Sequence, residues 1–169
     1  MRRTRLSRKT KLRSSAKRRD GVSKAFREEL KELHRRVVMV RYGKAYAVEP
    51  EREGGNPPWW GPCAWCGKEG WLYCCHIEPV GQYPALRYDP ENAFPGCYNC
   101  HINVWHKSSR RAEEWIKGYI GEAARERLAL RALTTSKPDL AAIRVALVSE
   151  LPPSLRQVGS PASCAPPPL

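Results

Sequence analysis

The first block of large apolar side chains has the spacing of an amphipathic helix. Its members are Phe26, Leu30, Leu33, Val37 and Val40. These positions stand three or four residues apart and share one helix face, so the pattern predicts a helix over residues 22–41 that docks on a core. Asp20 is suited to cap this helix and Gly43 to end it. The opposite face is rich in Lys and Arg and extends a basic surface.

The middle of the chain has the character of a short strand between loops. Residues 71–77 alternate as a strand does, with Cys75 on one face and Cys74 and His76 on the other. Residues 44–62 hold turn formers and little periodicity, and residues 78–95 include four prolines, so both segments are predicted to be loops. Cys74 is expected to be a small buried apolar side chain.

Three further helices are predicted toward the C-terminus. Residues 112–120 and 122–133 have apolar side chains at helical spacing, and Gly121 separates them. Residues 136–139 (SKPD) resemble a capping box and are predicted to open a third helix. The apolar stripe of that helix is Leu140, Ile143, Leu147 and Leu151. The stripe is expected to be scaffold, with a dimer seam as the alternative.

The charge of the chain is concentrated near its N-terminus. The net charge of the 169 residues is +13. Residues 1–41 hold sixteen Lys or Arg against four Asp or Glu, whereas the two signs nearly balance over residues 42–169. At this length and with 41% hydrophobic residues, one small domain is expected, of a size that often needs a metal to stabilise its core.

Residues 1–19 form a polycationic arm with ten Lys or Arg and no acidic residue. Such a segment cannot bury enough apolar surface to fold alone, and it binds phosphates with release of counterions. The cations expected to contact nucleic acid are Arg2, Arg3, Arg5, Arg8, Lys9, Lys11 and Arg13. A solubility tail, an rRNA-binding arm and attraction to an anionic membrane are the alternatives. No apolar core of a signal peptide follows, and no apolar run is long enough to span a membrane.

Two Cys-x-x-Cys pairs are the strongest chemical signal. Cys63 and Cys66 are separated by 30 residues from Cys97 and Cys100, which gives the four thiolates that a structural zinc ion prefers. The alternatives are two disulfides or four unrelated buried cysteines, and nothing in the sequence points to an oxidising compartment. Trp59 and Trp60 together are expected to pack against these pairs, with stacking on DNA as the alternative.

Three polar residues follow in the order His76, Asn92, His101, and the last comes directly after the second cysteine pair. This order resembles that of the ββα-metal (HNH) nucleases. The resemblance implies that His76 on a strand is a general base, that Asn92 tethers a loop and orients the base, and that His101 on a helix binds a catalytic metal. His106, just beyond, is a second candidate ligand of that metal, with contact to a phosphate as the alternative.

The spacing from His76 to the second cysteine pair resembles that of one particular group of these nucleases. His76 is followed by nine residues, Leu86-Arg87, four residues, Asn92, four residues and the second cysteine pair, which is similar to the NinG (Rap) recombination nucleases of lambdoid phages over residues 63–130. The resemblance implies a divalent-metal-dependent endonuclease that cuts branched DNA such as Holliday junctions. It implies structural Zn²⁺ and a second, catalytic ion (Mg²⁺, Mn²⁺ or Zn²⁺), a bacterial or phage-infected cytoplasm, and a homodimer as one arrangement.

The chain departs from the usual HNH pattern at the position before His76. Many members have an Asp ligand there, whereas this chain has Cys75. A thiolate suits Zn²⁺ better than Mg²⁺, so Cys75 is expected not to bind the catalytic metal, with an unusual metal preference as the alternative. Glu78 is a further candidate, as an extra carboxylate ligand of the metal, and a plain salt-bridge or surface residue is the alternative for it. The further residues expected to contact DNA phosphates are Arg87, Lys107, Arg110 and Arg111.

The predicted fold class is therefore α+β, with a small zinc-stapled ββα-metal core embedded in several helices. The basic arm (1–20) is expected to be disordered. An amphipathic helix and a loop (21–62) precede the zinc-knuckle core (63–107), and a helical part (108–151) follows it. The tail (152–169) holds six of the fifteen prolines and the isolated Cys164, and it is expected to be disordered. The non-nuclease alternative is a zinc-knuckle module that binds nucleic acid without cutting it; an HNH homing or restriction-type nuclease is a third possibility.

Overall fold

The computed structural model describes residues 21–48, 59–105, 107, 109–133 and 137–157, and for Ser109 and Arg110 it describes the backbone alone. The seven arm cations and His106 lie outside the described residues. The described part combines helices with two small antiparallel sheets, which confirms the α+β class. Within that part, no helix is both long enough and apolar enough to cross a bilayer.

The first helix, α1, spans Lys24–Tyr42, close to its predicted range. Its N-cap is Ser23, whose hydroxyl accepts a hydrogen bond from the Phe26 N–H at 3.1 Å; the predicted cap, Asp20, lies outside the described residues. Gly43 ends the helix with φ +68°, a left-handed conformation that favours glycine, and donates to the carbonyls of Met39 and Val40.

The strands form two separate sheets. β1 (Tyr46–Ala47), β2 (Trp59–Pro62) and β3 (Glu69–Trp71) make one antiparallel sheet in that order. β4 (Tyr73–His76) pairs with β5 (Ala93–Gly96) in the other. The prediction of a loop over 44–62 was therefore wrong at both of its ends, and the predicted single strand over 71–77 is divided between the two sheets.

The connection from β4 to β5 is the predicted long loop. It contains two short 3-10 helices, Pro84–Leu86 and Pro90–Asn92. After β5 the chain turns into a short π-helix, Cys100–Trp105, where the helix after the second cysteine pair was predicted. Strand β4, strand β5 and this π-helix therefore follow one another in the order strand, strand, helix.

Three α-helices complete the chain: α2 (Ser109–Ile120), α3 (Glu122–Ala132) and α4 (Leu140–Glu150). Gly121 separates α2 from α3 as predicted, with φ +85°. The third helix begins after Asp139, whose carboxylate accepts hydrogen bonds from the Ala141 and Ala142 N–H groups. Residues 137–139 of the predicted opening therefore lie before the helix, with Asp139 as its N-cap, and Ser136 lies outside the described residues.

Two apolar clusters hold these elements together. The larger joins α1, the cysteine pairs and α4 through Leu30, Leu33, Cys63, Cys100 and Leu147. The apolar stripe of α4 is thus used within the chain, as scaffold. The smaller cluster packs α2 and α3 against β4 and β5. The predicted helical segments and the predicted zinc-knuckle segment therefore contribute side chains to the same two apolar clusters.

The chain beyond α4 packs against α1. The Arg36 guanidinium is buried and donates to the carbonyls of Leu155 and Gln157, both at 2.8 Å, and its Nε donates to Glu32. Leu155 lies in the larger apolar cluster. The prediction of disorder from residue 152 was therefore wrong for 152–157, and residues 158–169, with Cys164, lie outside the described part.

Candidate functional site

The four predicted zinc ligands lie together. The Sγ atoms of Cys63, Cys66, Cys97 and Cys100 are all within 4.8 Å of one another, and those of Cys66 and Cys97 are 4.0 Å apart. A tetrahedral Zn²⁺ with bonds of about 2.3 Å requires sulfurs roughly 3.8 Å apart. The six described cysteines are all free thiols, which argues against the disulfide alternative. The four cysteines can therefore hold a metal such as zinc.

The backbone forms the two turns that this cluster needs. The Gly67 N–H donates to the Cys63 carbonyl at 2.8 Å, and the His101 N–H donates to the Cys97 carbonyl at 2.9 Å. Gly67 has φ +72°, which favours glycine at the first turn. The Cys97 N–H also donates to the Cys63 sulfur at 3.3 Å, so the two turns are linked directly.

Burial makes two of the four thiols weaker acids. It raises the pKa of Cys63 and of Cys100. A divalent ion supplies the positive charge that allows buried sulfurs to lose their protons. Trp59 packs in the same cluster as Cys63 and Cys100, as predicted, whereas Trp60 packs edge-on against Trp71 with ring centroids 5.1 Å apart.

His76 lies at the end of β4 with its ring fixed. Its Nε2 lies 3.2 Å from the Arg87 carbonyl oxygen, and since a carbonyl can only accept, Nε2 carries the proton. In the neutral ring, Nδ1 is then the nitrogen with the lone pair. Burial, together with the charge of Arg87, lowers the pKa of His76 despite the opposing hydrogen bond. The ring is therefore neutral at pH 7 and able to accept a proton.

His76 and His101 line the same two cavities. One, of about 440 Å³, is also lined by the cations Lys31, Arg35 and Arg87. The other, of about 520 Å³, is on the side of α2 and α3 and is also lined by Glu78, Glu113 and Arg125. The structure thus brings two of the predicted catalytic residues to one place, with positive side chains on one side of them.

Trp105 connects the π-helix to the strand that bears His76. Its indole N–H donates to the His76 carbonyl at 2.8 Å. Trp105 lies four residues after His101, about one helical turn further on. The indole fixes the position of His76 relative to the helix.

Asn92 is fully buried and holds the loop between β4 and β5. Its Oδ1 accepts from the Glu78 N–H at 2.7 Å, and its Nδ2 donates to the carbonyls of Glu78 and Leu86, each at 3.2 Å. The predicted tether is thus present in these contacts. The His76 ring itself is held by the Arg87 carbonyl, next to Leu86, so Asn92 acts on the ring through this loop.

His34 is a residue of this site that the sequence reasoning missed. It comes from α1, its ring stacks parallel to that of His76 with centroids 5.5 Å apart, and it lines the same cavity. Its Nε2 donates to the Asp89 carbonyl at 3.1 Å. The available signal was its position: residue 34 follows Leu30 by one turn, on the buried face of α1.

Cys74 and Cys75 have different surroundings. The Cys74 thiol donates to Nδ1 of His34 at 3.7 Å and lines the cavity, and burial raises its pKa to about 12. It is therefore a polar partner of His34 in addition to a small packed side chain. Cys75 faces the smaller apolar cluster, so close to Gly96 that a Cβ there would lie 2.7 Å from its sulfur. Cys75 thus packs among apolar side chains, and its exclusion from the catalytic metal stays a prediction.

Glu78 is engaged by an arginine. The Arg125 guanidinium forms ion pairs with Glu78 at 2.8 Å and with Glu113 at 3.0 Å, which links α3 to the start of the loop and to α2. As placed, the Glu78 carboxylate is neutralised by Arg125, which weakens its candidacy as a metal ligand.

The other predicted DNA contacts lie at different places around the site. Arg87 lines the cavity, and its guanidinium donates to the Val80 carbonyl at 3.5 Å. Lys107 is exposed and bonds to Asn103, and the exposed Arg111 lies 6.0 Å from the centre of the Trp65 ring. The side chain of Arg110, and the whole of His106, lie outside the described part.

Acidification is expected to destabilise the protein through His34. Burial lowers the pKa of His34 from 6.5 to about 4. The unfolded chain takes up this proton near pH 6.5 and the folded chain only near pH 4. Stability that is present above pH 6.5 is therefore lost as the pH falls between those values, by about 3 kcal/mol in total.

Urea unfolding of wild type and His34→Gln from pH 7.5 to 5.0 measures this loss of stability. The stability advantage of wild type should shrink by about 1.4 kcal/mol per pH unit below 6.5. Parallel pH curves for the two proteins would exclude this role, since other groups titrate equally in both.

Comparison with known proteins gives no further guidance, because no protein-family model, no curated protein and no solved structure matches the chain.

Proposed function

We propose that this protein is a metal-dependent DNA endonuclease of the ββα-metal type. The observation that carries the proposal is the meeting of His76 and His101 at one cavity with Lys31, Arg35 and Arg87. A neutral imidazole whose Nε2–H is fixed by a backbone carbonyl is suited to general-base chemistry, and the adjacent cations suit a phosphodiester substrate. The order of β4, β5 and the π-helix supports the same proposal.

In the proposed mechanism His76 accepts a proton at Nδ1 from the water that attacks the scissile phosphate. The Arg87 carbonyl keeps the ring in the required tautomer, Trp105 holds the strand, and Asn92 holds the loop that carries Arg87. His101 is the proposed ligand for a Mg²⁺ or Mn²⁺ ion, which would stabilise the charge on the leaving 3′ oxygen. Cleavage of this kind leaves 5′-phosphate and 3′-hydroxyl ends.

Branched DNA is the proposed substrate, on the resemblance of the His76 to Cys100 spacing to recombination nucleases. A basic arm that binds any phosphate backbone supplies affinity, so the shape of the substrate would have to supply selectivity. The proposed location is the cytoplasm of a bacterium or a phage-infected cell, and action as a homodimer on a symmetric junction is part of the proposal.

The test is cleavage of a labelled four-way junction beside a linear duplex and a single strand of matched sequence. We expect nicking that needs Mg²⁺ or Mn²⁺, stops with EDTA and favours the junction by at least tenfold in initial rate. Preference for one linear sequence would favour a homing or restriction-type nuclease instead.

A zinc-knuckle module that binds nucleic acid without cutting it is the alternative. The stacking of His34 on His76, and the backbone partner of each ring, also suit histidines with a purely structural role. Tight binding of DNA with no cleavage under any divalent ion would favour this alternative.

A further inference from the structure

A second cavity adjoins the one that contains His76. It has a volume of about 570 Å³ and lies between the N-terminal half of α1, the loop around Pro84 to Tyr88, and the segment that leads into α4. Lys31, Arg87 and Tyr88 line both cavities. The two spaces are therefore neighbours along one surface, with Lys31 and Arg87 at their boundary.

The lining of this second cavity is strongly positive. Five of its residues are cations: Lys24, Arg27, Lys31, Arg87 and Lys137. Glu28 is the acidic residue among the lining side chains, and it pairs with Lys31 at 2.8 Å. Lys24 and Lys137 are both exposed and come from distant parts of the chain, on α1 and just before α4. Folding thus gathers cations that are more than 100 residues apart in the sequence.

Collecting like charges in one place is unfavourable unless a polyanion neutralises them. A concave surface lined by several Lys and Arg attracts phosphates and raises their local concentration. A nucleic-acid strand supplies phosphates in series, so a single strand can occupy both neighbouring cavities, which a small anion cannot do. All five of these cations also come from parts of the chain that are separate from the polycationic arm.

We propose that this cavity, defined by Lys24, Arg27, Lys31, Arg87 and Lys137, binds the phosphate backbone of the DNA strand that leads to His76. Lys31 and Arg87 contact the phosphate nearest to the reacting one, and Lys24 and Lys137 contact phosphates further along. Binding of the strand at this cavity does not depend on whether the protein cuts DNA. Only the statement that the strand leads to a cleaved phosphate rests on the proposed function.

The experiment compares two pairs of charge-removing substitutions in the full-length, zinc-loaded protein. Lys24→Gln with Lys137→Gln removes two cavity cations outside the His76 cavity. Lys117→Gln with Arg127→Gln removes two exposed cations from α2 and α3 as the matched control. Binding of a labelled duplex is measured by fluorescence anisotropy without added divalent ion at 50 to 200 mM salt, and thermal melting checks folding.

We expect the cavity pair to reduce the slope of log affinity against log salt by about 1.8, which is about 0.9 for each lost phosphate contact, and to weaken binding at least tenfold at 100 mM salt. The control pair should change the slope by less than half as much. Equal effects of the two pairs would overturn the proposal, because general charge would then explain the loss. Inorganic triphosphate that competes as well as DNA at equal phosphate concentration would also overturn it.

Cleavage kinetics separate this inference from the proposed function. If the wild type cuts DNA, the cavity pair should raise KM at least tenfold and leave kcat within about twofold, since neither substituted lysine lines the His76 cavity. If the wild type binds DNA without cutting it, the proposed function fails while the salt slopes still decide whether this cavity holds a strand.

Discussion

Removing the metal from the four-cysteine site is expected to unfold the whole described core. Cys63 and Cys100 are buried in the apolar cluster that also contains Leu30 and Leu33 of α1 and Leu147 of α4. Structural zinc contributes roughly 10 to 16 kcal/mol of apparent binding free energy, whereas small domains have total stabilities of about 5 to 15 kcal/mol. Loss of the ion therefore removes about as much free energy as the fold has.

The measurement is thermal unfolding, followed by circular dichroism, of wild type, Cys97→Ser and Cys74→Ser, with zinc content by atomic absorption. We expect one zinc ion per chain in wild type and in Cys74→Ser, and a cooperative transition in both. Cys97→Ser should lose the ion and the cooperative transition. Cys74→Ser is the matched control because Cys74 bonds to His34, outside the cluster of four. A metal-free wild type that melts cooperatively would contradict the prediction.

The sequence predicted the elements whose signals are local. Three signals depend on neighbouring residues: the apolar period of α1, the break at Gly121 and the spacing within each cysteine pair. The structure contains the corresponding helix, helix break and cysteine cluster close to their predicted positions. The strand over 46–47 has only two residues and is stabilised by pairing with Trp59 and Trp60, which are distant in sequence. Pairing at such a distance leaves no periodic pattern to recognise.

Only the site residues that lie close together in the sequence could be predicted. His76, Asn92 and His101 lie within 26 residues of one another, and their order carried the prediction. His34 reaches the same cavity from α1, and Arg87 holds His76 with its backbone carbonyl, so its side-chain identity carries no information about that contact. Contacts made by tertiary packing or by the backbone do not appear as sequence motifs.

Replacing His76 by Ala is expected to reduce the cleavage rate by about 10²- to 10⁴-fold, the range that general-base catalysis supplies. DNA affinity and zinc content should stay within twofold of wild type, since the arm cations and the four cysteines are unchanged. Initial rates on the four-way junction at saturating Mg²⁺ measure the loss. Full activity of His76→Ala would exclude His76 as the base and leave His34 or an external base for the proton transfer.

The pH dependence distinguishes a base from a residue that only packs. Because burial lowers the pKa of His76 below its ordinary value of 6.5, the neutral ring persists below pH 6.5 and the rate should fall only at more acidic pH. The residual rate of His76→Ala should lack this acidic fall, and added imidazole should restore part of the rate. A variant that keeps the wild-type pH profile and ignores imidazole would mean that His76 acts through packing against His34 and not through proton transfer.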